Sequence, residues 1–161
     1  MTRPDRRDAP LRRAVIVGLF ALIALGPAVS PTFAQGLDGR QVTVFGVVAT
    51  PGQGVDDPKL KEVLPQLRQL VPGHSFRLLK VESKRLVAGE TVNCDLGAGF
   101  VATSQLSTPI DANGKIQMRF DLTCQGISQY QTIVTTPPNQ IFYINRMLPN
   151  GERLIIGIGA R

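Results

Sequence analysis

The sequence predicts a mainly β protein: an antiparallel sandwich or partly open barrel of seven to eight strands, with one amphipathic helix near the start of its folded region. Two observations carry this prediction. Short runs of β-branched or alternating apolar residues recur between residues 41 and 160, and turn signals separate them at intervals of about 8 to 12 residues. Only the stretch around residues 56–71 changes to a helical period.

Residues 1–34 have the layout of a secretory signal peptide. Five arginines precede Ala14–Leu25 (AVIVGLFALIAL), an uncharged apolar run, and Thr32-Phe33-Ala34 ends in a small residue. A bilayer span takes about 20 apolar residues, so this run is short for an anchor. We therefore expect cleavage near Ala34 and an exported protein that is periplasmic, bound to the cell envelope or secreted. The alternative is an inner-membrane anchor formed by residues 14–34.

Much of the positive charge belongs to this leader. Residues 1–34 hold five Arg and two Asp, so the remaining chain has a net charge of +3 instead of +6. Its densest basic cluster is Lys80, Lys84 and Arg85, which Glu82 interrupts. Nucleic-acid binders usually combine a denser basic stripe with aromatic residues, so no nucleic-acid partner is expected. Weak binding to a polyanion or a lipid surface stays open as an alternative, and it requires these three residues, Lys115 and Arg119 on one side.

The folded region starts after a predicted flexible segment at residues 35–40, and residues 41–161 are predicted to form a single β-rich domain. Gln41–Thr50 (QVTVFGVVAT) is rich in β-branched residues and reads as the first strand. Asp56-Asp57-Pro58 then predicts a helix start. Pro65 should kink this helix or delay its start. One helical face, which we expect to cover one side of a sheet, carries Leu60, Val63, Leu64, Leu67 and Leu70.

The rest of the chain alternates with a period of two. The most regular strand is Ile116–Cys124, where apolar and polar residues alternate throughout. Asn113-Gly114 and Asn150-Gly151 are hairpin signals, and Pro137-Pro138 must end a strand because proline donates no backbone hydrogen bond. The other predicted strands are Ser75–Ser83, Glu90–Leu96, Phe100–Leu106, Ile127–Thr136, Ile141–Met147 and Glu152–Ala160.

The two cysteines, Cys94 and Cys124, are predicted to form a disulfide. Both fall on inward faces of their strands, and export would place them in an oxidising compartment. The bond would close a loop of about 31 residues and contribute roughly 3 to 4 kcal/mol. Two buried free thiols are the alternative.

The sequence lacks the motifs of common catalytic machinery. It has neither a Gly-x-Ser-x-Gly elbow nor a Walker A loop, and His74 is its only histidine. Zinc sites need three or four ligands at patterned spacing, so we expect no metal, no cofactor and no catalytic residue. A hydrolase of envelope polymers stays open as an alternative if two carboxylates converge in a groove. The candidates are Glu90, Asp95, Asp111 and Asp121.

Three segments carry a resemblance to other proteins. They are Leu60–Lys80 (LKEVLPQLRQLVPGHSFRLLK), Cys94-Asp95-Leu96-Gly97, and residues 150–156 (NGERLII). Together they resemble small exported bacterial proteins of unassigned function, which place a Leu-rich helix before a β-rich body. The last segment is also loosely similar to β-modules of secretion and pilus assemblies. The resemblance implies a fold and an exported location, and no functional residue follows from it.

The predicted function is a non-catalytic, exported β-sandwich that binds or scaffolds at the cell envelope, with an envelope protein as its partner. Membrane contact is expected only through the N-terminal segment, if that is not cleaved. Strand addition at an exposed edge is the expected mode of binding. The candidate edge is the strand 127–136, where Gln129, Tyr130 and Gln131 alternate in polarity, and Arg146 could add a contact from the next strand.

Overall fold

A computed structural model describes residues 39–161. The predicted signal peptide, residues 1–34, lies outside the described residues, as do residues 35–38. The described chain contains eight strands and one short α-helix. In chain order these are β1 (Arg40–Pro51), a 3₁₀ turn (Pro58–Leu60), α1 (Leu64–Leu70), β2 (His74–Leu86), β3 (Thr91–Gly97), β4 (Phe100–Thr108), β5 (Ile116–Cys124), β6 (Ile127–Thr136), β7 (Ile141–Met147) and β8 (Arg153–Ala160).

The strands form two antiparallel sheets of four. Sheet A has the order β2-β1-β8-β7, and sheet B has the order β3-β4-β5-β6. The predicted mainly β class with one helix is therefore confirmed. The two sheets are not joined into a closed barrel, so each of them has two edge strands: β2 and β7 in sheet A, and β3 and β6 in sheet B.

A hydrophobic core lies between the two sheets. In β5 the buried residues Ile116, Met118, Phe120 and Leu122 alternate with polar neighbours such as the exposed Arg119. Sheet A contributes residues of β1 and β8 to the same cluster, among them Val44 and Ile156. The period of two puts one apolar face of each sheet against the other, which is the packing expected of a sandwich.

A second core lies on the outer face of sheet A, beneath the helix. Phe45 and Val47 of β1 pack there with Leu67 of α1. The Tyr143 hydroxyl donates a 2.6 Å hydrogen bond to Gln66 Oε1 of α1, and this bond ties the helix to β7. The prediction that the helix covers a sheet is therefore confirmed. Gly157 of β8 leaves room for the ring of Phe45, because a Cβ at position 157 would lie 2.2 Å from Phe45 Cζ.

The element boundaries differ from the predictions in physically simple ways. The helix start is delayed to Leu64, with Pro65 in its first turn, where a missing N–H costs nothing. The Asp57 carboxylate accepts a 3.0 Å bond from the Lys59 N–H and so caps the separate 3₁₀ turn. β1 already includes Arg40, which was predicted to be flexible, because Arg40 pairs with Leu86 at the end of β2.

Candidate functional site

The two long sides of the sandwich differ in how closely the sheets approach. On the β2–β3 side, Leu96 of β3 reaches so far over β1 that a Cβ on Gly46 would lie 2.4 Å from Leu96 Cδ2. On the β6–β7 side, few residues of the two strands approach each other. We call these the closed side and the open side.

β6 is an edge strand with a bulge near its start. Leu122 pairs with Tyr130 and Thr123 pairs with Ser128, which leaves Gln129 as an extra residue in β6. The Gln129 carbonyl accepts a 3.0 Å hydrogen bond from Arg146 Nη1 of β7. The structure therefore brings together two of the predicted site residues, Gln129 and Arg146, across the open side.

The other two predicted residues point to opposite faces of sheet B. Gln131 lies opposite Asp121 on the outer face and donates a 3.1 Å hydrogen bond from Nε2 to Asp121 Oδ2. Tyr130 lies opposite the buried Leu122, so it faces sheet A, yet its side chain is 40% exposed because the two sheets stand apart here. The predicted residues therefore lie on both faces of one sheet edge, and they do not line one pocket.

Sequence reasoning did not single out Ile133 and Phe142, which are among the exposed apolar residues on this side. Ile133 of β6 is 64% exposed on the outer face of sheet B, and Phe142 of β7 is 41% exposed opposite Ile158. The signal was present in the sequence, since β6 contains no charged residue among its 10 residues. Charged side chains are a usual means of blocking an exposed strand edge. Beyond the bulge, residues 130–136 lack that protection.

The predicted basic patch is divided between two faces. Lys80 and Lys84 lie opposite Gly46 and Val42 of β1, on the face of sheet A that looks toward sheet B. Arg85 lies opposite Gln41, on the other face. Lys80 Nζ also forms a 3.2 Å ion pair with Glu82 Oε1. Since Arg119 is on the outer face of sheet B, the one-sided cluster that polyanion binding requires is not formed by these residues.

The predicted disulfide is wrong for this structure, in which Cys94 and Cys124 are free. Cys94 of β3 pairs with Ala102 of β4, which pairs in turn with Leu122 of β5. Cys124 is thus two strands away from Cys94 and displaced along β5. Two strand spacings amount to about 10 Å, more than the roughly 7 Å between Cα atoms that a disulfide can bridge.

The Cys94 thiol is buried beside the closed side. Burial raises the pKa of this thiol to about 11, and the nearby Glu82 carboxylate adds to the rise. A thiol is nucleophilic only as its thiolate. Cys94 therefore stays protonated near neutral pH.

The four carboxylates considered for hydrolysis are engaged in separate local structures. Glu90 Oε2 accepts a hydrogen bond from Val87 N, Asp95 Oδ1 from Gly97 N, and Asp111 Oδ1 from both Asn113 N and Lys115 N. Asp121 accepts hydrogen bonds from Ser128 and Gln131. Each carboxylate stabilises a turn or a strand pair. None of these hydrogen bonds joins one of the four carboxylates to another.

A polar hollow of about 460 Å³ lies beside His74 at the far end of sheet A. Its carboxylate, Asp56, accepts a 2.7 Å bond from Arg68 Nη2 and a 2.9 Å bond from Phe76 N, and the Arg68 bond is the main reason its pKa is lowered. His74 Nδ1 lies 2.9 Å from the Pro72 carbonyl oxygen. These bonds attach the segment before α1 to β2. The polar groups around the hollow therefore have a role in stabilising the fold.

Two further observations concern the described part of the chain. Residues 39–161 contain no group of three or more His, Cys, Asp or Glu side chains placed to hold a metal ion. Within the same residues, no helix is both long and apolar enough to cross a membrane.

Comparisons with protein-family models, with curated proteins and with solved structures found no match to this chain. The functional interpretation therefore depends on the residues of the chain itself.

Proposed function

We propose that this protein is an exported, non-catalytic binding or scaffolding module of the cell envelope, and that it binds by strand addition at β6. The observation that carries the proposal is the edge itself. Among residues 39–161, β6 has a neighbouring strand on one side only, and it contains no charged residue and exposes Ile133 and Tyr130. An edge of this kind offers unpaired backbone N–H and C=O groups to an incoming strand.

Arg146 and the bulge at Gln129 limit where such a strand can bind. The Arg146 guanidinium donates a hydrogen bond to the Gln129 carbonyl, so the part of β6 before Tyr130 is blocked for an incoming strand. The segment from Tyr130 to Thr136 remains accessible, and Pro137 ends it. The predicted signal peptide, residues 1–34, supplies the proposed route to the envelope.

Site-specific photocross-linking tests this proposal in the native host. A photoreactive amino acid is introduced at Ile133, and in a matched variant at the exposed Asn93 on the opposite edge of sheet B. We expect an adduct with another polypeptide chain from position 133 but not from position 93. The intact mass of the recovered protein, which should match residues 35–161, tests export in the same sample. Equal adducts at both positions, or none at position 133, would contradict the proposal.

A further inference from the structure

The accessible part of β6 is a short segment with its most protruding apolar side chain at its centre. It runs from Tyr130 to Thr136, between the bulge at Gln129 and Pro137. Ile133 is the fourth of these seven residues and is 64% exposed. A strand addition limited to this segment is therefore centred on Ile133.

We propose that this segment pairs antiparallel with the same segment of a second copy of the chain, about a two-fold axis at Ile133. This inference rests on the proposed function and deepens it, since it names the strand that β6 binds. The two B sheets would then form one continuous sheet of eight strands. Such an interface is isologous, because the same surface is used by both copies.

The side chains of the segment are self-complementary in this register. On the outer face, Ile133 meets its own symmetry mate, and Gln131 meets Thr135. On the face toward sheet A, Thr132 lies opposite Val134, and Tyr130 lies opposite Thr136. Apolar side chains pair with each other on the outer face, and the aromatic–β-branched pair is one of the favourable cross-strand combinations. Thr132 meets the buried Val134, and its β-branched side chain offers a methyl group for that contact.

The charge distribution favours a second copy over a different protein. Because β6 is uncharged, two copies place no like charges opposite each other, whereas self-pairing at the β2 edge would oppose Lys80, Lys84 and their neighbours. Complementary charge is one means by which an interface selects a foreign partner and rejects others. The segment 130–136 has no charge by which a foreign strand could be selected. Its side chains are, however, complementary to those of the same segment in a second copy.

The extent of the segment sets the strength of the interaction. Seven paired residues span about 23 Å. The contact is smaller than the roughly 1,600 Å² of a standard interface, so we expect a reversible dimer with a dissociation constant of micromolar or weaker.

Two variants of equal exposure test the inference on the full chain. Ile127 is 67% exposed on the same strand, but it lies on the far side of the bulge. In analytical ultracentrifugation we expect wild type and Ile127→Lys to dimerise alike, and Ile133→Lys to dimerise about tenfold more weakly or not at all. Both variants keep residues 1–38, so any association through those residues affects them equally. Circular dichroism checks that both remain folded.

A cysteine trap tests the register. In a Cys124→Ser background, Ile133→Cys should give a disulfide-linked dimer under mild oxidation, because the axis places the two thiols opposite each other. Ile127→Cys should not. The buried Cys94 is present in both variants and serves as a shared background.

The outcomes separate this inference from the proposed function. A monomeric wild type, or an Ile127→Lys variant as impaired as Ile133→Lys, overturns the pairing with a second copy. If the photoadduct at position 133 then contains a different polypeptide, strand addition at β6 still stands. If position 133 gives no adduct either, both proposals fail.

Discussion

The closed and open sides of the sandwich protect their edge strands in different ways. Each side has two edge strands that expose backbone groups. On the closed side the edges carry many charges, five in β2 alone, and Leu96 seals the gap by packing over Gly46. On the open side, β6 has no charge and its protection is local: a bulge, and one guanidinium on one carbonyl.

This difference relates the closed side to the stability of the fold and the open side to the proposed binding. Charge and close packing make the closed side a poor place for a new strand and a good place for stability. The open side contributes less to the core, since Tyr130 and Phe142 are both about two-fifths exposed. The proposed strand addition needs an accessible edge, and β6 is the one edge strand of residues 39–161 that contains no charged residue.

The largest expected difference between the two sides is in the cost of removing an apolar side chain. Leu96→Ala on the closed side should lower the free energy of unfolding by about 2 to 4 kcal/mol, because it opens a cavity above Gly46. Phe142→Ala on the open side should cost about 1 kcal/mol, since much of that ring is already in water. Urea denaturation of both variants measures the difference. Equal losses would show that the two sides are packed alike.

The closed side should also give the protein an alkaline limit. The pKa of Cys94 is raised from 9.0 to about 11 by burial, so between those values the folded state holds a proton that the unfolded state has lost. Stability is therefore fully present below pH 9 and decreases as the pH rises toward 11. The measurement is urea denaturation at a series of pH values.

The control for this alkaline loss is Cys94→Ala, which should show a shallower decrease over the same range. Tyr143, whose pKa is also raised by burial, is present in both proteins, so its contribution cancels in the difference. Identical slopes for wild type and the variant would assign the loss to groups other than Cys94.

The local features of the fold were predictable because they depend on neighbouring residues. Alternation in Ile116–Cys124 gave β5 with its correct bounds, and Pro65 indicated a delayed helix. The disulfide was wrong because its geometry depends on which strands are neighbours. Nothing in the spacing of Cys94 and Cys124 reveals that β4 lies between their strands. Long-range pairing of this kind is decided by the whole sheet.

The candidate site was likewise predictable only in the features that depend on neighbouring residues. The run of uncharged residues in β6, and the prolines that end it, were visible in the sequence. The contact between Gln129 and Arg146 required the bulge and the approach of β7, and both depend on tertiary structure. Ile133 was overlooked because alternation alone shows that it faces away from Tyr130. It does not show whether another layer covers that face.

The smallest expected effect compares two hydroxyl groups in one row of sheet B. The row runs from Val92 at the closed side through Ser104 and Phe120 to Thr132 at the open side. Ser104 is fully buried, and its Oγ has no hydrogen-bond partner among residues 39–161, whereas Thr132 is partly exposed. Ser104→Ala should raise the free energy of unfolding by about 1 kcal/mol, because an unsatisfied buried hydroxyl is removed.

Thr132→Val, the matched change at the open end of the row, should leave stability within about 0.5 kcal/mol of wild type, because water already satisfies that hydroxyl. Urea denaturation resolves the two variants. If Ser104→Ala is destabilising, its hydroxyl has a partner in solution, and the interior near the closed side admits water. If Thr132→Val also gains about 1 kcal/mol, the Thr132 hydroxyl is buried without a partner in solution, and the two ends of the row are packed alike.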